Sequence, residues 1–282
     1  MVNSNSKAST LPNGAWYKHP VIVTAIAIQV FLLGLAVAWS GDSQQLSRLL
    51  VEDGIVEWMQ FLCFAVIAGM LGFVFTERLK QPQRSSLELL ALAGLTVLVA
   101  LAALEEISWF QRILKVASPD FFVQNNRQAE TNLHNIAIGS SGSIHKTILL
   151  KLILIVGLTH NLVLPFLART RPGIARWIEN LGGYLPPLGA SVIYVALVAL
   201  SHALVDHPRK GELGEVFGAV HYMATVFYAY FVGFGYGKPA LFEAPVEKRR
   251  LSTLFAMLMA FLLLVSWLLS AGAGAVQMLG GE

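Results

Sequence analysis

Each thing this chain has little of excludes a class of protein. It has one cysteine, Cys63, in 282 residues. A single thiol rules out an intramolecular disulfide and argues against a Cys-ligated metal site. Charged residues make up 13% of the chain, against about 25% in an ordinary soluble domain. There is no GxGxxG, Walker loop, HExxH, GxSxG or CxxC. Dinucleotide binding, ATP hydrolysis and serine-esterase chemistry therefore have no support. No basic run interleaved with aromatics is present, so no nucleic-acid partner is expected. The last apolar stretch holds no histidine, and no internal repeat is visible.

Apolar residues are what the chain has in quantity: they make up 55% of it, and the mean hydropathy is +0.62. They fall into seven stretches, at 21–40, 55–76, 86–106, 147–168, 186–206, 215–237 and 251–277. Each has the length of a membrane-crossing helix, and helices satisfy their own backbone hydrogen bonds within lipid. The expected fold is all-α, a polytopic membrane helix bundle of about seven transmembrane helices with the lipid bilayer as its surroundings. Residues 1–19 are Ser/Asn-rich and read as a flexible cytoplasmic tail. Residues 20–282 read as one membrane domain with an interfacial polar segment at about 107–146. Ala36-Val37-Ala38 resembles a signal-peptidase site, but the run from Val21 to Trp39 is long for a signal core and reads as an uncleaved span.

Net charge is +3 and the pI about 9.0, which in a membrane protein reads as basic cytoplasmic loops. Twelve of the twenty Lys and Arg residues fall on one side of the seven-span arrangement, including Lys18, Arg78, Arg171, Lys248, Arg249 and Arg250. This bias puts the N-terminus in the cytoplasm and the C-terminus outside, in a plasma (inner) membrane. The acids and histidines gather on the other side, and that grouping depends only on the number of spans. Asp53 and Glu57 enter the second span there, Glu105 and Glu106 close the third, and Glu130 and His134 lie in the long loop. His202, Asp206 and His207 close the fifth span, and Glu215 and His221 open the sixth. Ionisable groups near lipid are costly and mark function or tight pairing.

The spacings within these segments suggest roles. Ser118-Pro119-Asp120 reads as a helix start with proline at the first position. On such a helix Asn126, Glu130 and His134 share a face, so Glu130 and His134 either hold one metal ion or pair with neighbouring helices. Glu105 and Arg112 share a face with Trp109, which makes an ion pair plausible. Glu106 then lacks a local partner and becomes the candidate ligand or proton acceptor. His202 and Asp206 sit one turn apart, the arrangement of a general base with its orienting carboxylate. Asp53 and Glu57 read either as a hard-cation site or as a helix cap. Glu215 suits a helix N-terminus, and His221 reads as a ligand or as a histidine bonded to backbone. His160-Asn161, with Pro165 beyond, reads as packing at a kink.

The stretches Glu105-Glu106-Ile107-Ser108-Trp109-Phe110-Gln111-Arg112 and Asn126–Asn135, with Glu52-Asp53-Gly54-Ile55-Val56-Glu57-Trp58 upstream, resemble a family of uncharacterised bacterial multi-pass membrane proteins. Its pattern runs E-E-I-S-W-G-Q-R, then N-x-Q-x-E-x-N-L-H-N. The chain departs from it at Phe110, where the pattern has glycine. The resemblance covers under a third of the chain and implies no activity. A looser analogy is to seven-span, zinc-dependent lipid amidases of the alkaline ceramidase type, whose paired H-x-x-x-H this chain lacks.

Two readings follow. The first is a metal-dependent enzyme acting on a lipid or isoprenoid. In it Glu130, His134 and His202 hold a divalent metal (Zn, Fe or Mn), and Glu106 and Asp206 serve as acid and base. The alternative is a non-enzymatic protein, either an accessory subunit of a membrane protein partner or a small-solute or proton-coupled carrier. In it the carboxylates form a buried network or relay.

Overall fold

The computed structural model describes residues 16–82, 85–139, 142–233, 240–242 and 244–279. Five helices are long and apolar enough to cross a membrane: Pro20–Ala38, Gln44–Leu79, Ser86–Glu106, Thr147–Thr170 and Pro245–Ala271. The first is α1 (Pro20–Ala38). The second is a short α2 (Ser43–Leu50) leading into α3 (Ile55–Leu79), and the third is α4 (Ser86–Glu106). The fourth comprises α7 (Leu150–Leu158), a π-helical turn at Thr159–Val163 and α8 (Leu164–Thr170). Short helices α5 (Gln111–Leu114), α6 (Asp120–Asn125) and α9 (Pro172–Asn180) lie in the connections. Then come α10 (Leu188–Leu204), α11 (Gly211–Val226) with a π-helical extension over Phe227–Phe231, and α12 (Pro245–Leu279). The only strands among the described residues are Ala137–Ile138 and Gly142–Ser143, an antiparallel pair. The chain is an all-α, multi-pass membrane bundle.

The two remaining expected spans correspond to shorter or more polar helices. α10 has 17 residues. α11 carries Glu212, Glu215 and His221, and composition alone does not class it as a span. It is nevertheless the central helix: eleven of its sixteen residues are buried. It packs on α1, α3 and α10, while α12 closes against α1 and α3. Phe217, Val220 and Met223 on α11 meet Leu32, Met59, Leu71 and Phe255 in one core. Lipid tails are as apolar as leucine, so close packing and interhelical hydrogen bonds, more than burial itself, hold such a bundle together.

Capping residues set the helix starts. The His19 ring accepts the Val21 N–H at 3.4 Å and Pro20 occupies the first helical position of α1. Ser85 accepts the Glu88 N–H to start α4. Glu88 pairs with Arg78 across α3 and α4 at 3.6 Å, both side chains buried. Breaking such a pair from one side leaves an uncompensated charge.

Two expectations need correction here. The flexible tail does not extend to residue 19. Residues 1–15 lie outside the described ones, but Trp16–Lys18 form a helical turn. The Trp16 ring presses on Gly189, where an added Cβ would lie 2.1 Å from Cζ2, so only glycine fits there. Second, Pro119 precedes α6 rather than opening it, and α6 ends at Asn125. Asn126, Glu130 and His134 therefore share no helical face. The cause is local: Asn126 Oδ1 accepts the Gln128 N–H, and its Nδ2 donates to Asn132 O and Oδ1. Such side-chain bonds to nearby backbone compete with helix continuation.

Candidate functional site

Beyond α4 the chain turns sharply. Ser108, Trp109 and Phe110 adopt left-handed φ of 47, 56 and 60°, a conformation that disfavours residues with a Cβ. The turn lays residues 126–135 back over the end of α4 and forms a polar cap. Glu105 accepts hydrogen bonds from Trp109 Nε1 at 2.8 Å, the Leu133 N–H at 2.7 Å, and both the backbone N–H and Nδ1 of His134 at 3.2 Å. Asn135 Nδ2 lies 2.9 Å from His134 Nε2 and donates to it. The ring therefore carries its proton on Nδ1, and both ring nitrogens are engaged. Glu130 accepts the Ser108 hydroxyl, and Asn132 Nδ2 donates to the same Ser108 oxygen. The Gln128 amide and the Arg209 guanidinium both reach Glu52, tying the cap to the start of α3 and to the α10–α11 turn. The resemblance motif thus folds onto itself as a closed hydrogen-bonded unit. The expected Glu105–Arg112 pair falls on the Arg112 side chain, which lies outside the described residues. Trp109 and the 133–134 backbone bond to Glu105.

A second assembly forms inside the same end of the bundle. Glu57 and Gln60 come from the first turns of α3, Glu106 from the end of α4, and Glu212 and Glu215 from the start of α11. Glu106 lies within electrostatic reach of Glu215, Glu57 and Glu212, and the Gln60 amide bonds to it. Gln60 Nε2 also donates to Glu215 at 3.2 Å. Gln60 is 2% exposed and its Oε1 has no partner among the described residues. Neither α3 nor α11 has a side chain capping its first N–H groups, and carboxylates complement such helix N-termini. Glu57 also accepts the backbone N–H of Asp53, which precedes the helix at a left-handed φ of 59°.

A third assembly, missed from sequence except for His221, continues down α11. The Tyr194 hydroxyl lies where a Cβ on Gly218 would be 3.2 Å away. The Tyr194 ring stacks on His221, with centroids 4.7 Å apart and planes at 11°. His221 Nε2 donates to Asn161 Oδ1 at 2.9 Å, and Ser191 Oγ donates to the same oxygen at 3.2 Å. Asn161 Nδ2 donates to Gly157 O at 2.9 Å and to the Tyr222 hydroxyl at 2.6 Å. His160 stacks on Tyr222 and donates from Nε2 to Tyr184 O at 3.0 Å. Thr225 donates to His221 O and accepts from the Tyr184 hydroxyl. The π-helical turn at Thr159–Val163 lets the adjacent His160 and Asn161 enter one network, and such turns are frequent at functional sites. The sequence signal was two tyrosines and two histidines in otherwise apolar spans, with Tyr184 in the connection before α10, too dispersed to pair without the fold.

The other expected groupings do not form. α10 ends at Leu204 and Val205 is extended, so His202 and Asp206 are not one helical turn apart. Asp206 is exposed. His202 Nδ1 faces its own helix, 3.0 Å from Val198 O, and touches neither Glu130 nor His134. Among the described residues no group of three or more His, Cys, Asp or Glu is arranged to hold a metal ion. Compared with family models, curated proteins and solved structures, the chain matches none.

Proposed function

We propose that the chain is a proton-coupled carrier of a small solute in the plasma (inner) membrane, with its N-terminus cytoplasmic. One observation carries this reading: the polar groups of the second and third assemblies succeed one another along α11, winding about it as they go. Glu212, Glu215, the Tyr194 hydroxyl over Gly218, His221 with Tyr222, and Thr225 recur every three or four residues. This line of titratable groups runs about 20 Å along the helix, from the carboxylates around Gln60 into the middle of the bundle. Buried ionisable chains of this kind mark proton relays. Glu106 is the proton acceptor at its mouth, and the Gln60 amide orients it against Glu215. The cap holds the ends of α3, α4 and α11 in register around that mouth.

The test is proton flux into proteoliposomes carrying a pH-sensitive dye. Glu106→Gln keeps the shape and removes the titrating group. A positioned acid–base group contributes about a hundredfold or more, so flux should fall to background while the variant still purifies folded. Unchanged flux in a folded Glu106→Gln protein would sink the carrier reading.

A second reading, a metal-dependent enzyme acting on a lipid or isoprenoid, would need the carboxylates around Gln60 to close on a hard cation, although no three of them stand as a metal site among the described residues. Elemental analysis decides it. Near-stoichiometric zinc, iron or manganese that falls in Glu106→Gln and Glu215→Gln would favour it over the carrier.

A further inference from the structure

At the opposite end of the bundle a cavity of about 260 Å³ opens where α1 and α12 both begin, between His19 and Pro20 on one side and Lys248 and Arg249 on the other. Val232, just past the π-helical extension of α11, closes its floor. We propose that this cavity binds the phosphate headgroup of an anionic phospholipid from the leaflet on that side.

The chemistry of the lining supports this. Neither Lys248 nor Arg249 has a carboxylate within ion-pair distance among the described residues. Two other cations at the same end are matched: Arg78 pairs with Glu88, and Lys80 with Glu77 at 2.6 Å. Lys248 is half-buried, so its ammonium sits against the cavity rather than out in water. The Ser252 and Thr253 hydroxyls donate to Lys248 O and Arg249 O in their own helix. The two cationic side chains are therefore the donors offered to a ligand. His19 uses Nδ1 to accept the Val21 N–H, which makes the ring neutral and leaves the anion to Lys248 and Arg249. Pro20 and Val232 give the site an apolar side continuous with the exposed apolar surface of α1 at Val23 and Val30, where an acyl chain would lie. Basic pockets between membrane helices at an anionic leaflet take phosphate headgroups.

The test compares binding of phosphatidylglycerol and phosphatidylcholine by native mass spectrometry of the full chain released from mixed micelles, with inorganic phosphate as competitor. Each cation near an anionic surface is worth about fivefold in binding. The phosphatidylglycerol preference should therefore fall about fivefold in Arg249→Gln and about twenty-five-fold in Lys248→Gln/Arg249→Gln, with phosphatidylcholine unchanged. Arg171→Gln removes one exposed charge elsewhere and should leave the preference intact. If the double variant fails to fold, Arg249→Gln, at an exposed position, carries the test alone. Equal binding of the two lipids, a preference that survives Arg249→Gln, or an equal loss in Arg171→Gln would each overturn the proposal. Displacement of the lipid by inorganic phosphate would identify a free-anion site and overturn the lipid assignment.

Discussion

The polar cap and the α11 network are both rich in hydrogen bonds, yet they serve different ends. In the cap, Glu105, Glu130, Asn132 and His134 are held by bonds from the same short stretch of chain, residues 105–135. Its residues range from exposed to buried, and its side chains stand in for helix or sheet that a sharp reversal cannot form. In the network, Asn161, His221, Tyr184 and Thr225 come from three separate stretches of chain and meet buried between the helices. The first arrangement shapes a loop; the second ties helices together and aligns titratable groups. The density of polar residues in the sequence therefore points to the cap, while the polar ties between helices sit with the sparse polar residues of the spans.

The sharpest way to break this contrast is Asn161→Leu. Four hydrogen bonds end on this side chain. Side-chain hydrogen bonds in membrane proteins average roughly 0.6 kcal/mol each, so about 2 kcal/mol of global stability should be lost. Denaturation in mixed detergent measures it. A loss below about 0.5 kcal/mol would mean that the network is not a structural tie.

Asn132→Ala probes the cap in the same way and should behave differently. Asn132 is 1% exposed, donates to Ser108 and accepts from Asn126 and the Asn135 N–H. Its loss should open residues 126–136 locally by about 1 kcal/mol, seen as faster amide exchange there, with the global transition scarcely moved. A cooperative drop in the whole transition would show that cap and bundle are one unit.

Phe110→Gly is a smaller and opposite effect. Phe110 has a φ of 60° and stands where the resembled pattern has glycine. Relief of the left-handed strain is worth about 1–2 kcal/mol. It is offset by loss of the edge-to-face contact with Phe61, at 5.8 Å, which contributes about 0.5–1.5 kcal/mol. The expected result is a variant as stable as the parent or up to about 1 kcal/mol more so. A clear destabilisation would assign Phe110 a packing role that outweighs its backbone.

How much of this was legible depended on whether the signal was local. Length and hydropathy identified α1, α3, α4, α12 and the Thr147–Thr170 span, because twenty apolar residues in a row need no partner to be recognised. They also took 215–237 as a span, but nothing in them shows that α11, with Glu212, Glu215 and His221, packs at the centre. The collection of acids at one end was legible from span parity alone, and Glu106 emerged as the carboxylate without a local partner. The helical face through Asn126, Glu130 and His134 failed because side chain-to-backbone bonds stopped α6 at Asn125. His202 and Asp206 failed because α10 ended two residues early. His160-Asn161 read as kink packing, since nothing in residues 157–165 shows that Tyr184, Ser191, His221 and Tyr222 will surround it.

The last predicted effect appears only in acid, lies outside both regions and separates stability from the titration of the acids. Burial and the nearby Lys248 ammonium push the His19 imidazole down from its usual 6.5 to about 4. A histidine with a lowered folded pKa favours the neutral form in the native chain. Its contribution is complete above about 6.5 and lost as pH falls from there towards about 4, where the unfolded chain binds a proton that the folded one does not. Thermal melting of the wild type should therefore weaken over that window. In His19→Asn the side chain still caps α1 but has nothing to titrate, so the dependence should flatten while the carboxylates around Gln60 are untouched. Parallel curves for the two proteins would assign the acid weakening to those carboxylates and take His19 out of the account.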